Sequence, residues 1–362
     1  MALVRIAAVP GDGIGNEVLP AATRVVDAVL AITGDSVDWT WLDWGCDYLV
    51  AHGSMMPTDG IAQLADHEAI FLGAVGRPDV PDHESLWGLL IPIRRAFDQY
   101  VNLRPVKLFP GIAPRVVLPA GADIDMVIIR ENTEGEYSEL GGRFGRGTAG
   151  EFAIQENVFT RVGIERIARY ALDLAVTRTG RITSATKSNG IIHTMPFWDE
   201  VVEQCAVDFP TVTVRKVLID ALAAELVLRP HEFDVIVASN LFGDILSDLA
   251  AATVGSLGIA ASGNLDPERR HPSMFEPVHG SAPDIAGRGI ANPAAAIWSA
   301  ALMLEHIGRH EAAGLIMESL THSLANPGTR TADIGGTANT ESATQAVLDG
   351  LGRATRKDTT HG

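Results

Sequence analysis

The chain reads as an α/β protein of two domains, and three observations point there. Short apolar runs at residues 4–9, 69–74, 126–129, 182–185, 212–219 and 233–238 read as buried strands. Helical patterns at 17–32, 61–66, 89–99, 164–178, 198–208 and 294–307 lie among them, and such alternation is the signature of α/β architecture. A length of 362 residues is enough for two domains with a sizeable core.

The first strand, 4–9, runs into Pro10-Gly11-Asp12-Gly13-Ile14-Gly15, a tight turn before the helix at 17–32. Its spacing is G-x-G-x-G, whereas a dinucleotide fingerprint requires G-x-G-x-x-G and an acid about 20 residues on at a strand end. Asp35 and Asp38 sit in a stretch with Gly34 and Ser36 that reads as loop, so a plain strand-to-helix turn is expected. The pattern at 89–99 contains Pro92, which removes a helical hydrogen bond and predicts a kink. Residues 138–160 break the alternation: a glycine-rich stretch, 141–150, precedes a strand-like run, 152–159, as in an extended arm or hairpin. The strand at 233–238 leads through an Asn240-Leu241-Phe242-Gly243 turn into a helical pattern starting at Asp244. The tail, 355–362, is polar and expected to fray.

Hydrophobic content of 46% with 36 glycines and 19 prolines fits a soluble globular protein. The net charge of −17 argues against nucleic acid or an anionic membrane as partner. An anionic substrate would therefore need a local arginine cluster. Cys46 and Cys205 have neither metal-ligand spacing nor disulfide density, and read as inert thiols. No targeting segment stands out and no apolar run approaches the roughly 20 residues of a membrane span, so a cytoplasmic location is expected.

Asp244 and Asp248 stand four apart, on one face of the expected helix and past the end of a strand, where open α/β sheets bind ligands. Oxygen donors without cysteine or histidine beside them suit Mg²⁺ or Mn²⁺; the alternative is a solvated helix face with a dipole-favoured aspartate. Arg94, Arg104 and Arg130 lie at element ends, suited to bidentate carboxylate binding or to structural ion pairs. Tyr137 closes the acidic loop Glu131-Asn132-Thr133-Glu134-Gly135-Glu136 and could act as a general acid, or simply pack. Lys187 follows a strand and is a candidate base or a plain loop cation, and Asp220, at the end of the strand at 212–219, offers a third carboxylate. The turn-rich stretch 276–293 has backbone amides for phosphates and Asp284 for a ribose hydroxyl.

Taken together, PGDGIG at 10–15, Arg94 with NLRPV at 102–106, RENTEGEY at 130–137, TKSNG at 186–190, SNLFGDILSD at 239–248 and EPVHGSAPDIAG at 276–287 resemble the β-decarboxylating dehydrogenases. That family includes isocitrate, isopropylmalate, homoisocitrate, tartrate and D-malate dehydrogenases. The resemblance implies the isopropylmalate-dehydrogenase-like, non-Rossmann two-domain fold. A large cofactor domain would span 1–102 and 259–362, and a dimerisation and substrate–metal domain 103–258, with 138–160 as the arm that clasps a second subunit. It further implies that Arg94, Arg104 and Arg130 bind the carboxylates of a 2-hydroxy diacid, with Leu90 on the pocket wall. Asp244 and Asp248 would hold Mg²⁺ or Mn²⁺, joined by Asp220 across a homodimer with shared active sites. Lys187, also from across the dimer, would handle the C2 hydroxyl proton and Tyr137 would protonate the enol. His279, Gly280, Ser281, Ala282, Asp284, Ile285 and Asn292 would bind the adenosine half of NAD, the acidic Asp284 repelling a 2′-phosphate. Within the family, DHESLWG at 82–88, FDQYVNLRPVKLFPG at 97–111 and ENTEGEYSELGGR at 131–143 are most like tartrate and D-malate dehydrogenases. Gly88 and Leu90 disfavour a tricarboxylate, and Trp87 would shrink the pocket toward a C4 diacid. The alternatives are a 3-isopropylmalate dehydrogenase and a catalytically silent subunit that binds diacid or nucleotide.

Overall fold

The computed structural model describes residues 2–358. Its strands are β1 (Leu3–Gly11), β2 (Ser36–Trp41), β3 (Ala69–Ala74), β4 (Val101–Lys107), β5 (Asp125–Glu131), β6 (Gly141–Phe144), β7 (Phe152–Gln155), β8 (Arg181–Thr186), β9 (Thr213–Leu218), β10 (Val235–Ala238), β11 (Ala261–Leu265) and β12 (Ser273–Pro277). The chain divides into two compact units: Met1–Gln99 with Leu108–Arg115 and Val254–Gly362, and Tyr100–Lys107 with Val116–Thr253. The sequence expectation put 108–115 with the second unit. It groups with the first because Phe109 meets Trp298 edge-on at 5.1 Å and Gly111, at φ +80°, lies against Arg330 and the Ala325 carbonyl.

In the first unit the strand order is β2-β1-β3-β12-β11, parallel except for the antiparallel β11–β12 pair. All six residues of β3 are buried, as expected of a parallel strand covered on both faces. The helix Gly15–Thr33 buries Val18, Leu19, Ala22, Val25, Val26, Val29 and Leu30, its apolar stripe at helical spacing. Helix Ala294–His306 is apolar nearly all round and packs on β11 and β12. In the second unit the order is β4-β5-β10-β8-β9, with β4–β5 antiparallel and the rest parallel. Helix Arg161–Thr177 opens on Thr160, whose hydroxyl accepts the Gly163 N–H, and buries Ile164, Ile167, Ala168, Ala171 and Leu172. β6 and β7 form a separate antiparallel ribbon in which every residue is exposed.

Four strands carry no apolar run and escape a periodicity reading. β2 is half exposed, β4 contains Pro105, and β11 and β12 are buried yet built partly of serine, asparagine and glutamate. Burial of those polar groups is tolerated because they bond each other: Ser262 donates to the Glu276 carbonyl at 2.9 Å, and Asn264 to the Glu276 carboxylate at 2.8 Å. Three helical boundaries also move. Asn240–Thr253 is helical from Asn240, so the expected turn is the helix's first turn. Asp220 lies in the first turn of helix Ile219–Leu228 rather than at a strand end. Of the expected frayed tail, 355–358 continue the helix Thr340–Asp358, and 359–362 lie outside the described residues.

Pro92 shapes its segment in an unexpected way. Instead of a kinked helix over 89–99 there is a helical turn Asp82–Ser85, a π-helical turn Leu86–Leu90 and then Ile91–Ala96. The Ile91 N–H bonds the Leu86 carbonyl, five residues back. A widened turn gives the proline ring room and asks no N–H of Pro92.

The entry to β10 is anchored by Asp234, whose side chain is 2% exposed. Arg178 Nε donates to it at 2.6 Å and the Thr179 N–H at 2.9 Å, with the Thr179 hydroxyl a further donor. Burial alone would raise this carboxyl, but the Thr179 and Arg178 donors outweigh it and hold it below the usual range. A depressed carboxyl stabilises the fold above its unfolded pKa and loses that contribution as pH falls through its folded value. Asp234→Asn is expected to cost about 3 kcal/mol at neutral pH. It should also flatten the decline of stability below about pH 4. Thermal melts from pH 7 to pH 3 check both; an unchanged acid limb in the variant would contradict the assignment.

Candidate active site

Arg130 ends the apolar part of β5, and its guanidinium is buried against the first turns of helix Asn240–Thr253. Its Nε and Nη2 donate to Asn240 Oδ1 at 3.1 and 2.7 Å, and its Nη1 to Asp244. Gly243 makes this possible, since a Cβ there would fall 2.5 Å from the Arg130 Cβ. Arg104, on β4, donates from Nε to Asn102 at 2.6 Å and from Nη1 to Ser247 at 2.6 Å. The same Nη1 lies 3.4 Å from both Asp244 and Asp248. Tyr137 completes the group: its hydroxyl donates to Asp244 Oδ2 at 3.1 Å, and its ring lies under the Arg130 guanidinium at 5.5 Å. The structure thus brings together Arg104, Arg130, Tyr137, Asp244 and Asp248.

The acidic loop before Tyr137 has a mechanical logic that the sequence did not reveal. Glu131, 1% exposed, accepts from the Thr133 N–H and hydroxyl and from the Glu134 N–H, closing a turn. Burial pushes its carboxyl above the usual range against those donors. Glu134 accepts from Thr160 N–H at 2.7 Å and its hydroxyl at 2.6 Å, fastening the base of the β6–β7 ribbon. Glu136 accepts from the Ser239 hydroxyl and the Leu241 N–H at the start of the aspartate-bearing helix, where a negative charge is favoured. Each carboxylate is spent on structure, and Tyr137 is the group left facing the aspartates.

Burial pushes the Asp248 carboxyl above the usual range, with the Asp244 charge adding to it and Arg104 opposing. Burial likewise raises the Tyr137 phenol, and the Asp244 charge raises it further against the pull of Arg130. Lys187 and Asp220 form a pair of their own, Nζ to Oδ1 at 2.5 Å, which holds the Asp220 carboxyl below the usual range. Among the described residues no three His, Cys, Asp or Glu side chains gather as a metal site, so one chain does not join Asp220 to Asp244 and Asp248.

In the first unit Arg94 is 8% exposed and donates from Nη2 to Glu276 at 2.9 Å, while its buried Nε has no partner. Glu276, unassigned from sequence, is its buttress. Leu90 is partly buried and packs on the core with Leu89, Ile93 and Met55. Gly88 has a packing reason, because a Cβ there would lie 2.6 Å from Met55. Trp87 is covered by the Arg95 guanidinium at 5.0 Å. Along 279–292, His279 Nδ1 pairs with the Gly280 carbonyl and its buried Nε2 has no partner. Burial lowers the His279 pKa, keeping the ring neutral. Ser281 is buried, Ala282 takes φ +40°, Ile285 is half-buried, and Gly280 and Asp284 are exposed. Asn292 donates to Asp333 at 3.0 Å. A strained residue and an orphaned buried imidazole nitrogen are what a ligand-binding segment shows, so these residues fit a nucleotide. Two carboxylates one helical turn apart fit a hard divalent cation.

This architecture and these residues define a dehydrogenase of the isocitrate/isopropylmalate class. The family model for isocitrate/isopropylmalate dehydrogenase matches residues 5–350, and the chain belongs to that family of oxidoreductases. It is 52% identical over 355 residues to the decarboxylating D-malate dehydrogenase of Escherichia coli K12, covering 96% of this chain and 98% of that protein. It is also 52% identical over 357 residues to the tartrate dehydrogenase/decarboxylase of Pseudomonas putida, with the same coverage. Among solved structures, isocitrate dehydrogenase from Methylococcus capsulatus superposes with a TM-score of 0.87 at 33% identity, covering 96% of this chain and 99% of that one.

With its phenol raised by burial and by Asp244, Tyr137 is expected to stay protonated to higher pH than an ordinary tyrosine. Asp244→Asn should move that titration down. Ultraviolet difference titrations against Tyr137→Phe variants, made in both backgrounds, would isolate it; an Asp244→Asn curve unchanged from the parent would refute the coupling.

Proposed function

We propose that the protein oxidises a C4 2-hydroxy diacid, D-malate or tartrate, with NAD and Mg²⁺ or Mn²⁺, and releases a carboxylate as CO₂ where it lies β to the new carbonyl. The observation that carries this reading is the pairing of two buried guanidinium groups with two carboxylates beside a protonated phenol. The relatives' names, D-malate dehydrogenase and tartrate dehydrogenase/decarboxylase, support the substrate class.

Asp244 and Asp248 would hold the cation, with Asp220 of a second copy as a further ligand. When bound, the cation would supply Lewis acidity at the substrate's C2 oxygen and NAD would supply the hydride acceptor. Arg104, Arg130 and Arg94 would bind the carboxylates, their positive charge local in a chain of net −17. Lys187 of a second copy would take the C2 hydroxyl proton. As the C–CO₂ bond breaks, its electron pair passes into the adjoining carbonyl and gives the enolate. Tyr137 then delivers a proton to the carbon that lost CO₂. The segment His279–Asn292 would bind the adenosine half of NAD, with Asp284 disfavouring a 2′-phosphate. On this reading the first unit serves the cofactor and the second the metal and dimer.

A homodimer with shared active sites belongs to the same reading. Within one chain Asp220 pairs with Lys187 and, among the described residues, does not gather with Asp244 and Asp248 into a three-carboxylate site, which supports it. So do Leu140, Phe144, Phe152 and Ile154, apolar yet exposed on the arm. No described helix is long and apolar enough to cross a membrane; a cytoplasmic location is part of the same proposal.

Comparison of kcat/KM for D-malate, the tartrate stereoisomers and 3-isopropylmalate with NAD and Mn²⁺ tests the substrate; at least a tenfold preference for a C4 diacid is expected. A preference for 3-isopropylmalate would replace this reading with the leucine-pathway activity, and diacid binding without NADH formation would indicate a silent subunit. Asp248→Asn should keep the fold by circular dichroism while losing at least 100-fold in metal-dependent turnover. Near-parental turnover would refute the metal assignment.

A further inference from the structure

The glycine turn at 10–15 reads from sequence as a plain strand-to-helix connection, and the function above gives it no role. Its surroundings do. Gly13 has φ +55°, and a Cβ there would lie 2.1 Å from the Ser281 carbonyl oxygen. The Ile14 N–H donates to that same carbonyl at 2.9 Å. In the first turn of the helix, as its third residue, Glu17 Oε1 accepts the Gly287 N–H at 2.5 Å, while Glu17 Oε2 is buried with no partner. The last helix holds the other end of the segment: the Thr340 N–H donates to the Gly289 carbonyl at 3.0 Å and its hydroxyl to the Ala291 carbonyl at 2.7 Å. Arg24 and Glu341 tie the first and last helices by a two-bond ion pair at 2.6 and 3.0 Å. Between these fixings, Asp284 is exposed.

We propose that Glu17 is a positioning residue for cofactor binding: its carboxylate fixes the Gly287 N–H and so holds the turn that presents Asp284. This rests on the reading that 279–292 binds NAD. A first-turn acid also stabilises a helix through its dipole, and that role alone depends on charge rather than on reach. Aspartate keeps the charge but withdraws the oxygen by about one methylene, or roughly 1.5 Å. Glutamine keeps the reach and the acceptor but drops the charge. The two substitutions therefore separate positioning from helix stabilisation.

The test is NADH binding by calorimetry, with Mn²⁺ and D-malate binding to the same samples as control. Glu17→Asp is expected to weaken NADH binding about tenfold, the loss of one charge-assisted hydrogen bond, and Glu17→Gln to restore it to within about twofold. Mn²⁺ and D-malate affinities should stay at the parental level in both. Hydrogen exchange should speed up in 281–291 for Glu17→Asp and not in the β10 region. Asp284→Ala separates the two readings. If it weakens NADH binding and Glu17→Asp does not, the positioning role is wrong while the cofactor segment stands. If neither variant weakens NADH binding, the segment assignment itself falls. If Glu17→Gln lowers affinity while Glu17→Asp leaves it at the parental level, the effect is one of charge and the proposal is overturned.

Discussion

Two guanidinium groups buried beside two carboxylates organise the second unit. Arg130 and Arg104 are 2% and 8% exposed, and a buried cation without a partner would cost several kcal/mol. Asp244 and Asp248 supply that partner, so β4, β5 and the helix at 240–253 are locked by one charge balance. Asn240, Asn102 and Ser247 take up further N–H groups of the two arginines. Tyr137 is drawn into the same network through Asp244.

On the proposed function, that balance would also govern how ligands enter. The two arginines and two aspartates sum to zero formal charge, in a protein whose overall charge of −17 repels anions. A divalent cation alone would approach the aspartates against two guanidinium groups; a dianion alone would approach the arginines against two carboxylates. Together they keep the site neutral, with each charge facing its opposite. Affinity for the cation and for the diacid should therefore be coupled, each raising the other by the same factor. On the same reading the neutral phenol fits, because a tyrosinate beside Asp244 would add a third negative charge where Tyr137 would deliver its proton.

Much of the fold was legible because parallel strands covered on both faces are continuous apolar runs, as at 69–74 and 233–238. β11 and β12 were illegible for the opposite reason. They are equally buried, but satisfy serine, asparagine and glutamate side chains with one another, and no local pattern announces that. Within the site, Arg130, Tyr137, Asp244 and Asp248 were named as candidates from residue type and position. What supports them was hidden: Glu136 at the helix start, Glu276 behind Arg94, Gly243 under the arginine stem. Those residues act across 100 or more positions in the chain, so their partners become visible only once the strands are ordered. The glycine turn shows a further limit. Its spacing argued against a dinucleotide fingerprint, yet spacing said nothing of Ser281, which packs on Gly13, or of Gly287, which bonds Glu17 just beyond it.

Pro92 marks where local rules and function meet. A proline there violates helical patterning, and the chain answers with a wide turn at Leu86–Leu90 in which Ile91 reaches back five residues. Such π-turns cost some hydrogen-bond quality and tend to survive at functional positions. The consequence is one of register. In a regular helix Trp87, Leu90 and Arg94 would lie along one stripe at three- and four-residue steps, but the inserted residue rotates everything before Ile91 relative to the residues after it. Leu90 is thereby partly packed on the core beside Met55, while Gly88 needs its bare Cα for the same methionine. On the proposed function, side-chain identity at 87–90 alone is an incomplete guide to substrate preference, because the width of the turn also decides which of those side chains packs on the core.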